Sequence, residues 1–244
     1  NGGGEEGGVL LIEANELFLE NVTVLNSCSG GEEGGMYIYV KNNAFINNFV
    51  MDNITSIGEY EIYYDPSSNI TYENVWTGYG AIGAYITVGG NLTFSNASFT
   101  NSDGLGYEGF YIQAGNITIS NFTIENISDY RCVYYQCQNG EMISYNEESE
   151  GSNYGIYIIT DNENSTVNIN DLTVKNVSAS VQDNLLYIEA NNVTVDGVNI
   201  SGAYSGYEGT INIKENRFTN PNSTIAVNNV YMENVRKSPG ENYT

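Results

Sequence analysis

Gly115-Asn116-Ile117-Thr118-Ile119-Ser120-Asn121-Phe122-Thr123-Ile124-Glu125-Asn126-Ile127-Ser128 is the stretch that decides the fold. Asparagine recurs at 116, 121 and 126, and between these positions apolar residues alternate with Thr, Ser or Glu. Alternation with period two is the mark of a half-buried strand, and Asn marks a bend between strands. The frame is x-N-h-T-h-x-N-h-T-h-x-N-h-S, with h apolar. It also fits from Asn15, Asn42, Gly90, Ser165, Asn191 and Ser223. Successive starts lie 27, 48, 25, 50, 26 and 32 residues apart. A repeat of about 25 residues therefore runs through the chain, with an insertion of about 23 in each of the two long intervals.

A shorter alternating piece precedes every template, at residues 11–14, 37–40, 85–88, 111–114, 157–160, 187–190 and 211–214. Each repeat thus carries three short strands. The inward pairs expected on the second strand are Leu17/Leu19, Ala44/Ile46, Leu92/Phe94, Ile117/Ile119, Val167/Ile169, Val193/Val195 and Ile225/Val227. On the third they are Val22/Val24, Phe49/Met51, Ala97/Phe99, Phe122/Ile124, Leu172/Val174, Val198/Ile200 and Val230/Met232. One such turn cannot bury its apolar face alone and must stack on its neighbours, about 4.8 Å per rung. The reading is all-β: a right-handed, single-stranded parallel β-helix, or solenoid, of seven coils. It forms a single domain over 1–244, with insertions at about 58–79 and 129–154. β-Branched residues, glycines and the absence of a 3.6-residue stripe argue against helix. A quadrilateral helix with a five-residue repeat is the competing architecture, because Asn recurs every five residues within the template.

This pattern resembles the parallel β-helix (pectin-lyase-like) superfamily. Within it, the repeats are similar to those of polymorphic outer-membrane adhesins and large extracellular protist proteins. Gly7-Gly8-Val9-Leu10 and Gly34-Gly35-Met36-Tyr37 match the first half of their repeat motif. In place of the second half stand Asn21, Asn48, Asn96, Asn121 and Asn229, which suggest an asparagine ladder at one turn. A bend between strands needs a residue that tolerates left-handed backbone angles, and Asn does so best after Gly. Asp171 and Gly197 hold the same place in the fifth and sixth repeats. A second row follows at Asn26, Asn53, Asn101, Asn126, Asn176 and Asn234.

Composition narrows the function. The chain has 7 Lys plus Arg against 30 Asp plus Glu, no histidine and a net charge of −23. Such a charge repels phosphate backbones, which excludes nucleic acid as a partner. No apolar run approaches the ~18 residues of a membrane span. Without histidine there is no Ser–His–Asp or Cys–His centre and no ordinary zinc site. The signatures of polygalacturonases are missing, the few cations are scattered, and an anionic pectin chain would be repelled, so no enzyme activity is expected.

Fourteen asparagines head an N-x-S/T pattern: Asn21, Asn53, Asn69, Asn91, Asn96, Asn116, Asn121, Asn126, Asn164, Asn176, Asn192, Asn199, Asn222 and Asn242. About five or six would arise by chance at this composition, so dense N-glycosylation and an extracellular location, secreted or at the cell surface, are expected. Ladder residues Asn21, Asn96 and Asn121 should be poor acceptors through burial of their amides, and Asn69, Asn164, Asn222 and Asn242, in loops, good ones. Cys132 and Cys137 suggest a small disulfide loop, with Cys28 free or an alternative partner. Asn1 is not a natural start, which points to a processed or excerpted chain.

The insertions are aromatic. Tyr60, Tyr63, Tyr64 and Trp76 in one, and Tyr134 and Tyr135 in the other, suit sugar faces or a protein interface, and the two insertions could pack on each other. Gly3-Gly4-Glu5-Glu6-Gly7-Gly8 recurs as Gly30-Gly31-Glu32-Glu33-Gly34-Gly35. Stacked, those Glu pairs would repel unless they splay or hold a cation, for which calcium is the natural candidate. Finally, a β-helix end exposes unpaired strand edges and is normally capped. No capping helix is evident here, so the expected partners are copies of the chain stacked head-to-tail in a filament or coat, or flanking coils of a longer chain. A carbohydrate-binding adhesin that uses the aromatic insertions is the alternative.

Overall fold

A computed structural model describes residues 9–29, 35–56, 59–67, 70–77, 82–103, 105–128, 132–138, 141–148, 154–177, 183–206, 209–217 and 220–237. In chain order the strands are β1 (Leu10–Ala14), β2 (Leu17–Ser29), β3 (Met36–Val40), β4 (Ala44–Ser56), β5 (Glu59–Asp65), β6 (Ile70–Thr77), β7 (Ile82–Asp103), β8 (Leu105–Ser128) and β9 (Cys132–Gln138). There follow β10 (Glu141–Glu148), β11 (Ile156–Ile159), β12 (Thr166–Val177), β13 (Asn184–Glu189), β14 (Asn192–Ser201), β15 (Tyr204–Ser205), β16 (Gly209–Lys214), β17 (Thr224–Glu233) and β18 (Arg236–Lys237). The protein is all-β, and no helix among the described residues is long and apolar enough to cross a membrane.

Twelve strands form one mostly parallel sheet in which each repeat pairs with the next. Ile12, Ile38, Ile86, Ile112, Ile158, Ile188 and Ile213 make one row from rung to rung. Leu17, Ala44, Leu92, Ile117, Val167, Val193 and Ile225 make a second, and Val22, Phe49, Ala97, Phe122, Leu172, Val198 and Val230 a third. Every template register read from the sequence is reproduced. The segment at 211–214 is displaced by one, since Tyr187 pairs with Asn212 rather than Ile211. Stacked parallel rungs of this kind fit a β-helix or solenoid.

The inward positions of the middle rungs are the core. Ile38, Ile46, Phe49, Met51, Ile86, Phe94, Phe99 and Ile112 are fully buried. Phe99 is the hub of an aromatic cluster, with ring centroids 4.7 Å from Phe110, 5.4 Å from Phe122 and 5.7 Å from Phe49. Small and large residues alternate along the third row (Ala97 between Phe49 and Phe122), so rings interleave between rungs instead of colliding.

The three strands per repeat expected from sequence are joined. β2, β4, β12, β14 and β17 each span both template strands without a break, and β7 and β8 take in the first strand as well. The chain turns within these strands at single residues. Asn21, Asn48, Asn96, Asn121, Asp171 and Asn229 have φ of 49–58°, and Gly197 has 72°. Five residues on, Asn26, Asn53, Asn101, Asn126, Asn176 and Asn234 repeat the conformation at 50–56°, joined by Gly202 at 60°. Both asparagine rows are therefore left-handed corners. A β-branched or Ala residue there would carry about 1–2 kcal/mol of strain.

Two variants separate backbone from side chain at one corner. Asn121→Gly keeps the left-handed backbone and loses only the amide contact, about 1 kcal/mol. Asn121→Ala adds the strain and should cost about 2–3 kcal/mol. Denaturant unfolding that ranks Gly below Ala in stability would contradict the assignment. A pH test follows from Asp52, whose carboxylate accepts from Thr100 Oγ1 and Asn101 Nδ2, each at 2.7 Å. These bonds hold its pKa below the ordinary 3.8. A folded pKa below the unfolded one stabilises the fold above that pH, and the gain is lost as pH falls through the folded value. The stability difference between wild type and Asp52→Asn should shrink on acidification below 3.8.

Candidate functional site

The corner residues are also hydrogen-bonded columns with a direction. Asn48 Nδ2 donates to Asn21 Oδ1 (2.9 Å), and Asn121 Nδ2 to Asn96 Oδ1 (2.9 Å). In the second column Asn53 donates to Asn26 (2.6 Å), Asn126 to Asn101 (3.0 Å) and Asn176 to Asn126 (3.1 Å). Where the rung below offers another acceptor, the amide takes it: Asn96 donates to Asn47 Oδ1 (2.8 Å) and Asn229 to Asp196 Oδ1 (2.7 Å). A third column, unexpected from sequence, runs through Asn43, Asn91 and Asn116. Asn91 donates from its backbone N and its Nδ2 to Asn43 Oδ1, and Asn116 Nδ2 to Asn91 Oδ1 (2.9 Å). It ends on Thr166, whose N and Oγ1 both donate to Asn116 Oδ1 at 3.0 Å. In every one of these columns the donor lies on the later rung.

These bonds sort the glycosylation sequons. Asn53, Asn91, Asn96, Asn116, Asn121, Asn126 and Asn176 have their Nδ2, the atom a glycan would join, engaged with a neighbouring rung. Asn192 Nδ2 donates to the carbonyl of Ser165 at 3.3 Å. Among the described residues, Asn21 accepts from Asn48 and donates to nothing. Burial is not the obstacle anticipated for Asn21, Asn96 and Asn121: all three are exposed, and only the hydrogen bonds of Asn96 and Asn121 restrain the nitrogen. Asn164 and Asn222 are exposed in turns in which their backbone N–H donates to Asn162 Oδ1 and Asn220 Oδ1, and among the described residues no ladder bond engages their own amides. Asn199 is exposed on β14. Asn69 and Asn242 lie outside the described residues.

The two insertions leave the stack at equivalent points, after Ser56 and Ser128, and join in one antiparallel sheet ordered β10-β9-β6-β5. The expected contact between insertions is thus a continuous ladder. Tyr60 pairs with Val75, Val75 with Tyr135 and Tyr135 with Tyr145, while Trp76 pairs with Tyr134 and Tyr63 with Tyr72. Tyr64, paired with Thr71, is 52% exposed. The same strands correct the cysteine assignment. Cys132 and Cys137 stand near opposite ends of β9, paired with Glu148 and Met142. Five residues of extended strand separate their Cα atoms by about 16 Å, beyond the ~7 Å a disulfide can bridge. A Cys132–Cys137 loop does not fit this strand. Cys28 is a free, exposed thiol 3.4 Å from Thr55 Oγ1.

Two clusters escaped the sequence reading. Tyr37, Tyr85, Tyr111, Tyr157 and Tyr187 stack on the outer face of the first strands, with centroids 4.6–5.4 Å apart. Lys214 Nζ closes the column, 4.7 Å from the Tyr187 ring. Burial, with the neighbouring Glu189, pushes the Tyr187 hydroxyl far above its ordinary pKa. The signal was present: Tyr heads five of the seven first strands. The other cluster is a buried polar corner, where Asn216 Nδ2 lies within 3.1–3.4 Å of Asn162 O, Thr160 O, Thr160 Oγ1 and Ser165 Oγ.

Glu5, Glu6, Glu32 and Glu33, the calcium candidates, lie outside the described residues. Among the described residues no group of three or more metal-ligating side chains occurs. The end rungs differ from the middle. Val193, Val195 and Ile200 are at most 1% exposed, whereas their counterparts one rung on, Ile225, Val227 and Met232, are 46%, 46% and 52% exposed. In the first rung Leu17, Leu19, Val22 and Val24 are half-buried.

Comparisons with protein-family models, with curated proteins and with solved structures found no match for this chain. The ladder geometry yields a test of its own. In chain produced through a eukaryotic secretory pathway, glycopeptide mass spectrometry should find Asn164 and Asn222 occupied and Asn121 and Asn126 bare. Full occupancy at Asn121 and Asn126 would contradict the restraint placed on ladder nitrogens.

Proposed function

We propose that the chain is a secreted, N-glycosylated structural protein, a right-handed parallel β-helix of seven coils that stacks head-to-tail into an extracellular filament or coat. The observation that carries this reading is the exposure of core positions in the last rung of the described residues. Ile225, Val227 and Met232 occupy core positions yet stand about half exposed. Half-exposed core positions over an unpaired strand edge invite a further rung. Unlike ends that meet do not close a ring, so repeated contact propagates as a fibre. A surface of Thr, Ser and Asn with a charge of −23 keeps the sides of such a rod soluble and apart. Sequons in turns such as Asn164 and Asn222 would place glycans along the flank, away from the stacking ends.

A second reading, a carbohydrate-binding adhesin, is favoured by the insertion sheet. Its ladder sets Tyr145 and Tyr135 on adjacent strands in one row with Val75 and Tyr60, and Tyr64 is half exposed. Negative-stain micrographs of the purified, secreted chain distinguish the two. Filaments that disappear in Val227→Glu support the structural reading, and single particles that bind a glycan array overturn it in favour of the adhesin.

A further inference from the structure

Three features of the two end rungs match one another, and together they fix how two copies meet. The first is shape. β2 and β17 hold the same template, so rows end with Leu17, Leu19, Val22 and Val24 on one side and Ile225, Val227, Val230 and Met232 on the other. The second is the polarity of the amide columns. Each amide donates toward the preceding rung, so among the described residues Asn21 and Asn26 accept without donating. At the far end Asn229 has donated to Asp196 and its Oδ1 accepts from nothing described. One end thus presents spare amide donors and the other spare acceptors.

The third feature is charge. Four of the seven cations, Lys214, Arg217, Arg236 and Lys237, lie in the last rung and its flank, together with Glu215 and Glu233. The first rung carries Glu13, Glu16 and Glu20 and no cation. Glu16 and Glu20 each use one oxygen on the second rung, accepting from Asn43 N (3.2 Å) and Asn47 Nδ2 (3.3 Å). Among the described residues no hydrogen bond engages the other oxygen of either. An acidic end and a basic end attract in one orientation only.

We infer that the partner of the open last rung is a second copy of this chain, docked in a single register. Asn21 of the incoming copy lies over Asn229, Asn26 over Asn234, Ile12 over Ile213 and Glu13 over Lys214. This rests on the head-to-tail reading above and adds its register and chemistry. The register continues all three rows of the core, extends two amide columns across the junction with their donors still on the later rung, and sets Glu13 against the one cation that already caps the tyrosine column. Glu20 comes over Asn228, whose amide can donate to it, whereas Thr224, under Glu16, already donates its hydroxyl to Asn192 Oδ1 (3.3 Å) and its backbone N–H to the carbonyl of Asn191 (3.1 Å). A shift of two residues along the strands would break the columns and oppose Glu13 to Asn212.

Cysteine cross-linking reads the register. In a Cys28→Ser background, Thr23→Cys with Tyr231→Cys sets two outward-facing residues in adjacent strands, about 4.8 Å apart, within disulfide range. Thr23→Cys with Glu233→Cys is the shifted control, at about 8 Å. Mild oxidation should give disulfide-linked multimers at least tenfold more abundant for the first pair, with the cross-linked peptide joining positions 23 and 231 identified by mass spectrometry. Multimers joined equally or better through the shifted pair overturn this register while leaving head-to-tail stacking in place. A chain that stays monomeric by light scattering overturns both, as it would if flanking coils of a longer chain were the natural occupant. A charge swap checks the ion pair without cysteines: Lys214→Glu should reduce assembly several-fold and Glu13→Lys should restore it. Failure of the second change to restore it counts against the register.

Discussion

Everything in this fold depends on one backbone constraint: at two places in each rung the chain must adopt left-handed angles without breaking the sheet on either side. Asparagine meets it because its short amide tolerates φ near 50° and can satisfy itself against the amide one rung away. Stacking multiplies the effect. A corner in register with its neighbours gains a hydrogen bond from each, and a corner out of register loses two. The columns therefore enforce the same register as the apolar rows, and the two kinds of periodicity support one another. Where Gly197 and Gly202 replace Asn, the carboxylate of Asp171 and the amide of Asn176 lean into the space a Cβ would take, 2.6 Å and 3.0 Å away.

Because the corners fix the outline of each rung, the interior has only to be filled. Phenylalanines concentrate in the middle rungs, where Phe49, Phe94, Phe99, Phe110 and Phe122 interlock, and give way to Val and Ile toward the later ones. The flanks carry a different device. Two insertions spaced two rungs apart close on each other as an antiparallel sheet, so that one part of the surface is braced across the rungs instead of along them. Among the described residues, the first and last rungs leave apolar core positions in view, the first beside Glu13, Glu16 and Glu20 and the last beside Lys214, Arg217, Arg236 and Lys237.

Much of this was legible in the sequence because the repeat overdetermines it. Seven aligned templates fix which residues face inward, and Asp171 and Gly197 stand where turn-competent substitutes should. The tyrosine column is written in the sequence, since Tyr37, Tyr85, Tyr111, Tyr157 and Tyr187 occupy equivalent outward positions. The strands of the insertions have a local signal, since Cys132–Gln138 carries the β-forming run Val133-Tyr134-Tyr135 and is followed by Asn139-Gly140, a strong hairpin sequence. A cysteine spacing of five suits a small disulfide loop only where the intervening residues bend, and on β9 they are extended. The polar corner around Asn216 was not legible, because it forms where turns more than fifty residues apart in sequence converge.

The measurement that bears most directly on the stacked-rung architecture is the power spectrum of cryo-electron micrographs of the filaments that the proposed function predicts for the purified chain. A meridional spacing of about 4.8 Å, with seven rungs making an axial subunit repeat of about 34 Å, is the expected result. Assemblies that lack the 4.8 Å spacing along their axis, or whose subunit repeat is not a whole number of rungs, would contradict it.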